Sequence, residues 1–302
     1  MNTLRTVGEL RAALTPARRA RRTIGLVPTM GAFHEGHLSL MRRAREQCDV
    51  LVVSLFVNPA QFDDAEDLKS YPRDEARDSR LAAELRVDLL FAPSAPEIYP
   101  DGFATTVTVG DLNEQLEGAQ RGSGHFDAVT TVVAKLFNIV GPDLAYFGQK
   151  DAQQTAVIKR MACDLDLPVE IVVGATVREP DGLAMSSRNA HQSPSERERA
   201  TALYRALRTA EAGVAAGERD PAAVLVAAQG ELLAVEPEYF EVVDPESFSP
   251  IRGRIDSDVL AVVAARVGTT RLIDNYTITV PSTGQPVGSS DPEEALECSA
   301  RC

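Results

Sequence analysis

Residues 49–57 read DVLVVSLFV, an unbroken apolar run that Asn58-Pro59 closes. A strand with one wet face alternates apolar and polar side chains, whereas a strand covered on both faces need not. The run therefore reads as a central strand of a parallel sheet, and Pro59, which has no N–H to give, stops it. Upstream, residues 23–30 (TIGLVPTM) read as a second buried strand and residues 37–47 as an amphipathic helix. Downstream the alternation continues, with a helix over 74–85, a strand over 88–92, a helix over 129–140, and strands over 144–148 and 170–176. Strands alternating with helices imply parallel pairing through right-handed crossovers.

Residues 1–176 are thus expected to form an α/β domain with a Rossmann-like parallel sheet, whose ligands bind beyond the carboxyl ends of the strands. The pattern changes after Thr176. Ser193-Pro194-Ser195-Glu196 is a capping box with proline at the first helical position, opening a helix over about 194–215. Asp220-Pro221 opens another in the same way, and residues 239–243, 259–267 and 270–280 read as strands. A smaller α+β C-terminal domain is expected over 177–281. Residues 282–302 are rich in Ser, Gly, Pro and Glu without apolar periodicity, and are expected to be a disordered tail.

The chain has 302 residues, 44% hydrophobic and 25% charged, an ordinary globular balance. Its net charge of −13 argues against a broad face for nucleic acid, which needs clustered Lys and Arg. Any anion site must be compact. Cys48, Cys163, Cys298 and Cys302 form no CxxC pair and no zinc spacing with histidine. Cys48 and Cys163 fall in apolar-periodic segments and read as buried free thiols, while Cys298 and Cys302 lie in the polar tail. No signal peptide is recognisable, and no stretch approaches the ~18 apolar residues of a membrane span. A soluble cytoplasmic protein without membrane partners is expected.

The strongest chemical signal lies between the first strand and its helix, at Met30-Gly31-Ala32-Phe33-His34-Glu35-Gly36-His37. Two histidines three apart fall near a helix N-terminus, where N–H groups and the helix dipole already favour a phosphate. Histidine donors there can stabilise charge growing on a phosphoryl group under attack. Metal ligation is the alternative, weakened by the missing third ligand at helical spacing. Far downstream, Gly182-Leu183-Ala184-Met185-Ser186-Ser187-Arg188-Asn189 sets two hydroxyls and a guanidinium after a glycine turn, a set able to wrap nucleotide phosphates. Between them, Gly148-Gln149-Lys150-Asp151 follows a strand, with Lys150 a phosphate partner and Asp151 an acceptor for ribose hydroxyls. Gln61, in FVNPAQF after another strand, can donate and accept at once and suits a small hydroxy acid.

The pairing of HxGH with the Ser-Ser-Arg loop resembles the HIGH and KMSKS-type signatures of the nucleotidyltransferase superfamily. Within it, the chain is similar to the pantothenate synthetases, through Pro28-Thr29-Met30-Gly31, HEGH, FVNPAQF, Tyr71-Pro72-Arg73, Leu116-Glu117-Gly118, Gly124-His125-Phe126, Lys150-Asp151, Thr176-Val177-Arg178-Glu179 and DGLAMSSRN. The resemblance covers residues 20–280 approximately. It implies an ATP-dependent ligase that joins pantoate to β-alanine through a pantoyl-adenylate. It also implies that Met30 to His37, Gly148 to Asp151, Val177 and Met185 to Arg188 bind ATP, with His37, His34 and Lys150 catalytic. Gln61 and Gln154 would hold pantoate, Asp78 would stand near a magnesium ion, the C-terminal domain would act as a lid, and the protein would be a homodimer. Three departures stand out: Gln149 where glutamate is usual, Ala152 where an aromatic residue is frequent, and a longer Arg121 to His125 loop. A rival enzyme reading keeps the fold but joins the nucleotide to a phosphate acceptor, and a third makes the chain a non-catalytic ATP-binding module.

Overall fold

A computed structural model describes residues 1–62 and 65–280. In chain order the elements are β1 (Asn2–Leu4), α1 (Val7–Arg19), β2 (Ile24–Thr29), α2 (Glu35–Gln47), β3 (Val50–Leu55), α3 (Ala65–Ser70), α4 (Glu75–Glu84), β4 (Leu89–Phe91) and α5 (Ala95–Ile98). There follow α6 (Glu117–Arg121), α7 (Ser123–Val140), β5 (Leu144–Gly148), α8 (Ala152–Asp164), β6 (Glu170–Gly174), α9 (Pro194–Ala200), α10 (Ala202–Ala215), α11 (Pro221–Gln229), β7 (Glu236–Val243), β8 (Val259–Val267) and β9 (Thr270–Ile278).

The chain divides into two compact units. The first holds Met1–Gly148 and Gln153–Gly174, and the second holds Gln149–Ala152 and, among the described residues, Ala175 to Val280. The first unit is the α/β domain read from the sequence. Its six strands run parallel in the order β1-β4-β3-β2-β5-β6. The apolar run that set the reading, β3, lies between β4 and β2, with Leu51, Val52 and Val53 fully buried. Leu40, Met41 and Ala44 on one stripe of α2 pack with Val27, Leu51, Val53 and Tyr146 of the sheet. Cys48 is buried there beside the Tyr146 hydroxyl, and burial pushes its thiol up.

The second unit carries the antiparallel sheet β7-β8-β9. Leu203, Ala206, Leu207, Ala210 and Val214 make one face of α10 and pack in the same core as Ala261, Val263, Ala265 and Val267 of β8. Each Leu or Val so withdrawn from water contributes about 1.5–3 kcal/mol.

Several boundaries differ from the sequence reading. The helix expected over 194–215 is interrupted at Thr201, whose N–H and hydroxyl both donate to the carbonyl of Glu198. This tightens one turn at the point where α9 gives way to α10. Strand β1 and helices α1 and α8 have no counterpart in the sequence reading. Cys163 is half-buried and disulfide-bonded, so among the described residues the free buried thiol is realised by Cys48 alone. The expected disordered tail, with Cys298 and Cys302, lies outside the described residues. Among the described residues no helix is long and apolar enough to cross a membrane.

Candidate active site

Strand β2 ends at Thr29, whose hydroxyl donates to the Ser54 carbonyl on β3 at 2.6 Å. The chain then turns through Gly31 at φ 88° and Ala32 at φ 53°. A non-glycine residue in that region is strained and needs a holder. Asp78 on α4 supplies it. One carboxylate oxygen accepts from Ala32 N at 2.8 Å and the other from Phe33 N at 2.9 Å. The neighbouring Arg77 donates to the Phe33 carbonyl at 2.9 Å. Asp78 is only 1% exposed, and burial pushes its carboxyl up against the pull of the two amides. Neither oxygen of Asp78 is without a main-chain donor. Nor do the described residues include any group of three or more His, Cys, Asp or Glu able to hold a metal ion.

Helix α2 starts at Glu35, two residues earlier than the sequence suggested, so that His34 is its N-cap and His37 completes the first turn. The two residues cap the helix reciprocally. His34 Nδ1 accepts from Gly36 N at 3.2 Å, and His37 Nδ1 accepts from His34 N at 3.3 Å. Their ring centroids are 4.1 Å apart. A Cβ at residue 36 would come within 2.9 Å of His34 Cε1, so only glycine lets the ring fold back onto its own helix. An imidazole whose Nδ1 accepts carries its proton on Nε2. Both histidines therefore present N–H donors at the positive end of a helix. Met30, Gly31 and Ala32 form the turn itself, and Phe33 is buried with its ring 5.7 Å from that of His37. The Glu35 carboxylate is taken by Arg42 at 2.6 Å, which holds it below the usual carboxylate range. Among atoms of Glu35, the main chain is what remains for a nucleotide.

Gln61 lies in the short turn Pro59–Gln61 that follows β3. Asn58, 1% exposed, donates to Gln61 Oε1 at 3.0 Å and to the Ala128 carbonyl at 3.2 Å, and accepts from the Tyr99 hydroxyl at 3.0 Å. With its oxygen so engaged, Gln61 offers its Nε2 donor. Gln154 is half-buried on α8. Its neighbour Gln153 is buried and pins a loop, donating to the carbonyls of Leu112 and Gln115 and accepting from Glu117 N. Because β3, β2 and β5 are adjacent and parallel, the segments that follow them emerge at one edge of the sheet. That edge collects the HxGH turn, Gln61 and Gly148. Replacing Gln61 with Ala should weaken binding of a small hydroxy acid by roughly 1–3 kcal/mol, the cost of an unpaired polar partner. Calorimetric titration with such an acid checks this, and unchanged affinity would mean that Gln61 does not meet it.

The remaining expected residues belong to the second unit. Gln149, Lys150 and Asp151 form a turn in which Lys150 Nζ lies 3.2 Å from Asp151 Oδ1. Asn275 of β9 holds this turn. Its Nδ2 donates to the carbonyls of Gln149 and Lys150, both at 2.9 Å, and its Oδ1 accepts from Gln149 Nε2 at 3.3 Å. The Val177 carbonyl accepts from Met185 N at 2.9 Å, closing a loop around residues 178–184. Ser186 caps the short turn Ser187–His191, accepting from Arg188 N at 3.3 Å. Arg178 pairs with Asp274 through two bonds of 2.6 and 3.0 Å, and donates to the carbonyls of Gly182 and Asn275 at 3.1 Å each. Its guanidinium lies 4.4 Å from the Tyr204 ring centre. Burial pushes the Asp274 carboxyl up, and Arg178 pulls it back. Asp274 and Asn275 are absent from the sequence reading, and Asn58 enters it only as the residue that ends a strand. The available signal was Asp-Asn between Leu272-Ile273 and Tyr276 within a strand, a polar pair that a sheet buries only when it is hydrogen-bonded.

Known proteins match this chain over nearly its whole described length. A family model described as pantoate-beta-alanine ligase matches residues 2–277. Pantothenate synthetase 1 of Bradyrhizobium diazoefficiens is 52% identical over 279 residues, covering 92% of this chain and 98% of its own. The pantothenate synthetase of Heliobacterium modesticaldum is 53% identical over 284 residues, covering 93% and 100%. Among solved structures, pantothenate synthetase from Thermus thermophilus superposes with a TM-score of 0.88 at 47% identity, covering 93% of this chain and 100% of that one. A pantoate-beta-alanine ligase from Francisella tularensis, complexed with beta-gamma ATP and beta-alanine, gives 0.75 at 32% identity, covering 91% and 97%.

Proposed function

The chain belongs to the pantoate-beta-alanine ligase family, and from that premise we propose how its residues join pantoate to β-alanine at the expense of ATP. The pantoate carboxylate attacks the α-phosphorus, pyrophosphate leaves, and a pantoyl-adenylate results. The β-alanine amine then attacks the acyl carbon, the C–O bond to phosphate breaks, and AMP departs with its electron pair. A carboxylate is already ionised at neutral pH, so the first step needs alignment and charge neutralisation rather than a base.

The observation that carries the assignment is the reciprocal capping of His34 and His37, which leaves the proton of each ring on Nε2 at the N-terminus of α2. His37 and His34 donate to the phosphate oxygens on which charge accumulates. Lys150 adds a cation to the leaving pyrophosphate, Gly148 to Asp151 and Val177 seat the nucleoside, and Met185 to Arg188 contact the outer phosphates. Gln61 and Gln154 hold pantoate by its hydroxyl and carboxylate oxygens. Magnesium would arrive with the ATP phosphates, keeping most of its water, and Asp78 would stand near it. The same proposal places the protein in the cytoplasm as a homodimer, on family membership alone.

Isotope exchange tests the order of events. Labelled pyrophosphate should pass into ATP when pantoate is present and β-alanine absent, since the amine enters only after pyrophosphate has left. An acid without hydroxyl groups should support far less exchange, as polar pockets reject ligands that leave their groups unpaired. Exchange without pantoate would mean another acceptor, and exchange only with β-alanine would mean a concerted mechanism.

A further inference from the structure

We propose that Asn275 and Asp274, on the last strand, are positioning residues for ATP: they set the backbone that meets the nucleotide without touching it. The proposal rests on the assignment of Gln149 to Asp151, Val177 and Met185 to Arg188 to ATP. Those segments are far apart in sequence, and two adjacent side chains of β9 bond to the first of them and to Arg178, beside Val177. Asn275 is 5% exposed and bonds the turn at three points, through Gln149 O, Lys150 O and Gln149 Nε2. Asp274 is 4% exposed and receives Arg178 in a forked pair. Arg178 follows Val177 directly, and its remaining bonds reach the carbonyls of Gly182, at the head of the Ser-Ser-Arg loop, and of Asn275.

Consecutive strand residues point to opposite faces unless the backbone deviates. Here the pair works through different routes, Asn275 toward the Gln149 turn and Asp274 toward Arg178. Neither function needs a ligand to be present, since all the bonds named are made within the protein. Lys150 is carried on a carbonyl that Asn275 fixes, so the lysine's Cα is placed even while its ammonium pairs with Asp151. A preorganised phosphate partner needs this, because a displacement of about 1 Å can cost about a hundredfold in rate.

The test is steady-state kinetics on Asn275→Ala in the full-length enzyme, beside Lys150→Ala and wild type. Losing two main-chain hydrogen bonds should loosen the turn and raise the KM for ATP about tenfold. The KM for pantoate should stay within about twofold, because Gln61 and Gln154 sit in the first unit. Reduced stability alone would instead lower the active fraction, so that kcat falls with all three KM values unchanged, and that result would overturn the proposal. If Asn275→Ala does not fold, Asn275→Thr keeps a donor and suits a strand, and a smaller rise confined to ATP is expected. An ATP effect in Lys150→Ala with none in the folded Asn275 variant rejects positioning by Asn275 while sparing the nucleotide assignment. No ATP effect in Lys150→Ala removes that assignment, and the proposal with it.

Discussion

Replacing His37 with Ala should lower turnover by roughly 10²–10³-fold, the usual cost of losing one preorganised donor to a transition state. The residue sits at the first turn of α2, with Nδ1 accepting from His34 N. Its removal therefore deletes one donor and also one half of a helix cap. The cap contributes about 1 kcal/mol, too little to unfold a domain with a sheet of six strands behind it. The expected result is a folded enzyme that still binds ATP but exchanges pyrophosphate slowly. Single-turnover formation of the acyl-adenylate measures the affected step, and near-normal turnover in a folded variant would contradict the role given to this ring.

Arg178→Met should be the most damaging change to stability. Asp274 would keep its buried position and lose both guanidinium bonds. Breaking a buried pair by removing one partner costs about 3–5 kcal/mol, since the other charge is left uncompensated. Denaturant unfolding would measure it. The loss should depend on pH with a definite sign. Burial already pushes the Asp274 carboxyl above the ordinary 3.8, and removing Arg178 takes away the main opposing influence. A carboxyl whose folded value lies above its unfolded one holds its proton in the native state, so stability falls as pH rises through that interval. The variant should thus be less unstable at about pH 5 than at about pH 8. A deficit that is small, or constant with pH, would show that water or another cation replaces Arg178.

What the sequence made legible follows from how far each signal reaches. Strand β3 announced itself because its burial on both faces is written in consecutive residues, and β8 did so for the same reason. Helix α1 escaped notice although Thr6 and Glu9 form a capping box, because an Arg cluster and Pro16 obscure the stripe of Leu10, Leu14 and Ala17. Strand β1, three residues long, is too short to show a period. At the candidate site, the HxGH spacing revealed the histidines, and even their place at a helix N-terminus. Asp78 was legible only as a carboxylate. That it faces two loop amides is a matter of which loop lies opposite, and residues 45 and 46 positions away decide it. Asn275 is the extreme case, since its partners lie 125 and 126 residues upstream. No local pattern can encode such a pair.

That separation also bears on how the protein is made. A ribosome adds about 5–20 residues per second, so Gln149 and Lys150 leave it on the order of ten seconds before Asn275 exists. The sheet of the first unit can close around β2, β3, β5 and β6 without β9, but the turn at Gln149 must wait in an unfastened form. Its fastening requires nearly the entire described chain, and contacts of such long range close late. A nascent chain halted before residue 270 should therefore hold a folded first unit and an unset turn at Gln149. Ribosome-bound chains of increasing length, assayed for ATP retention, should gain it in one late step as β9 emerges, and premature termination near the 3′ end of the message should yield protein that is soluble yet catalytically empty.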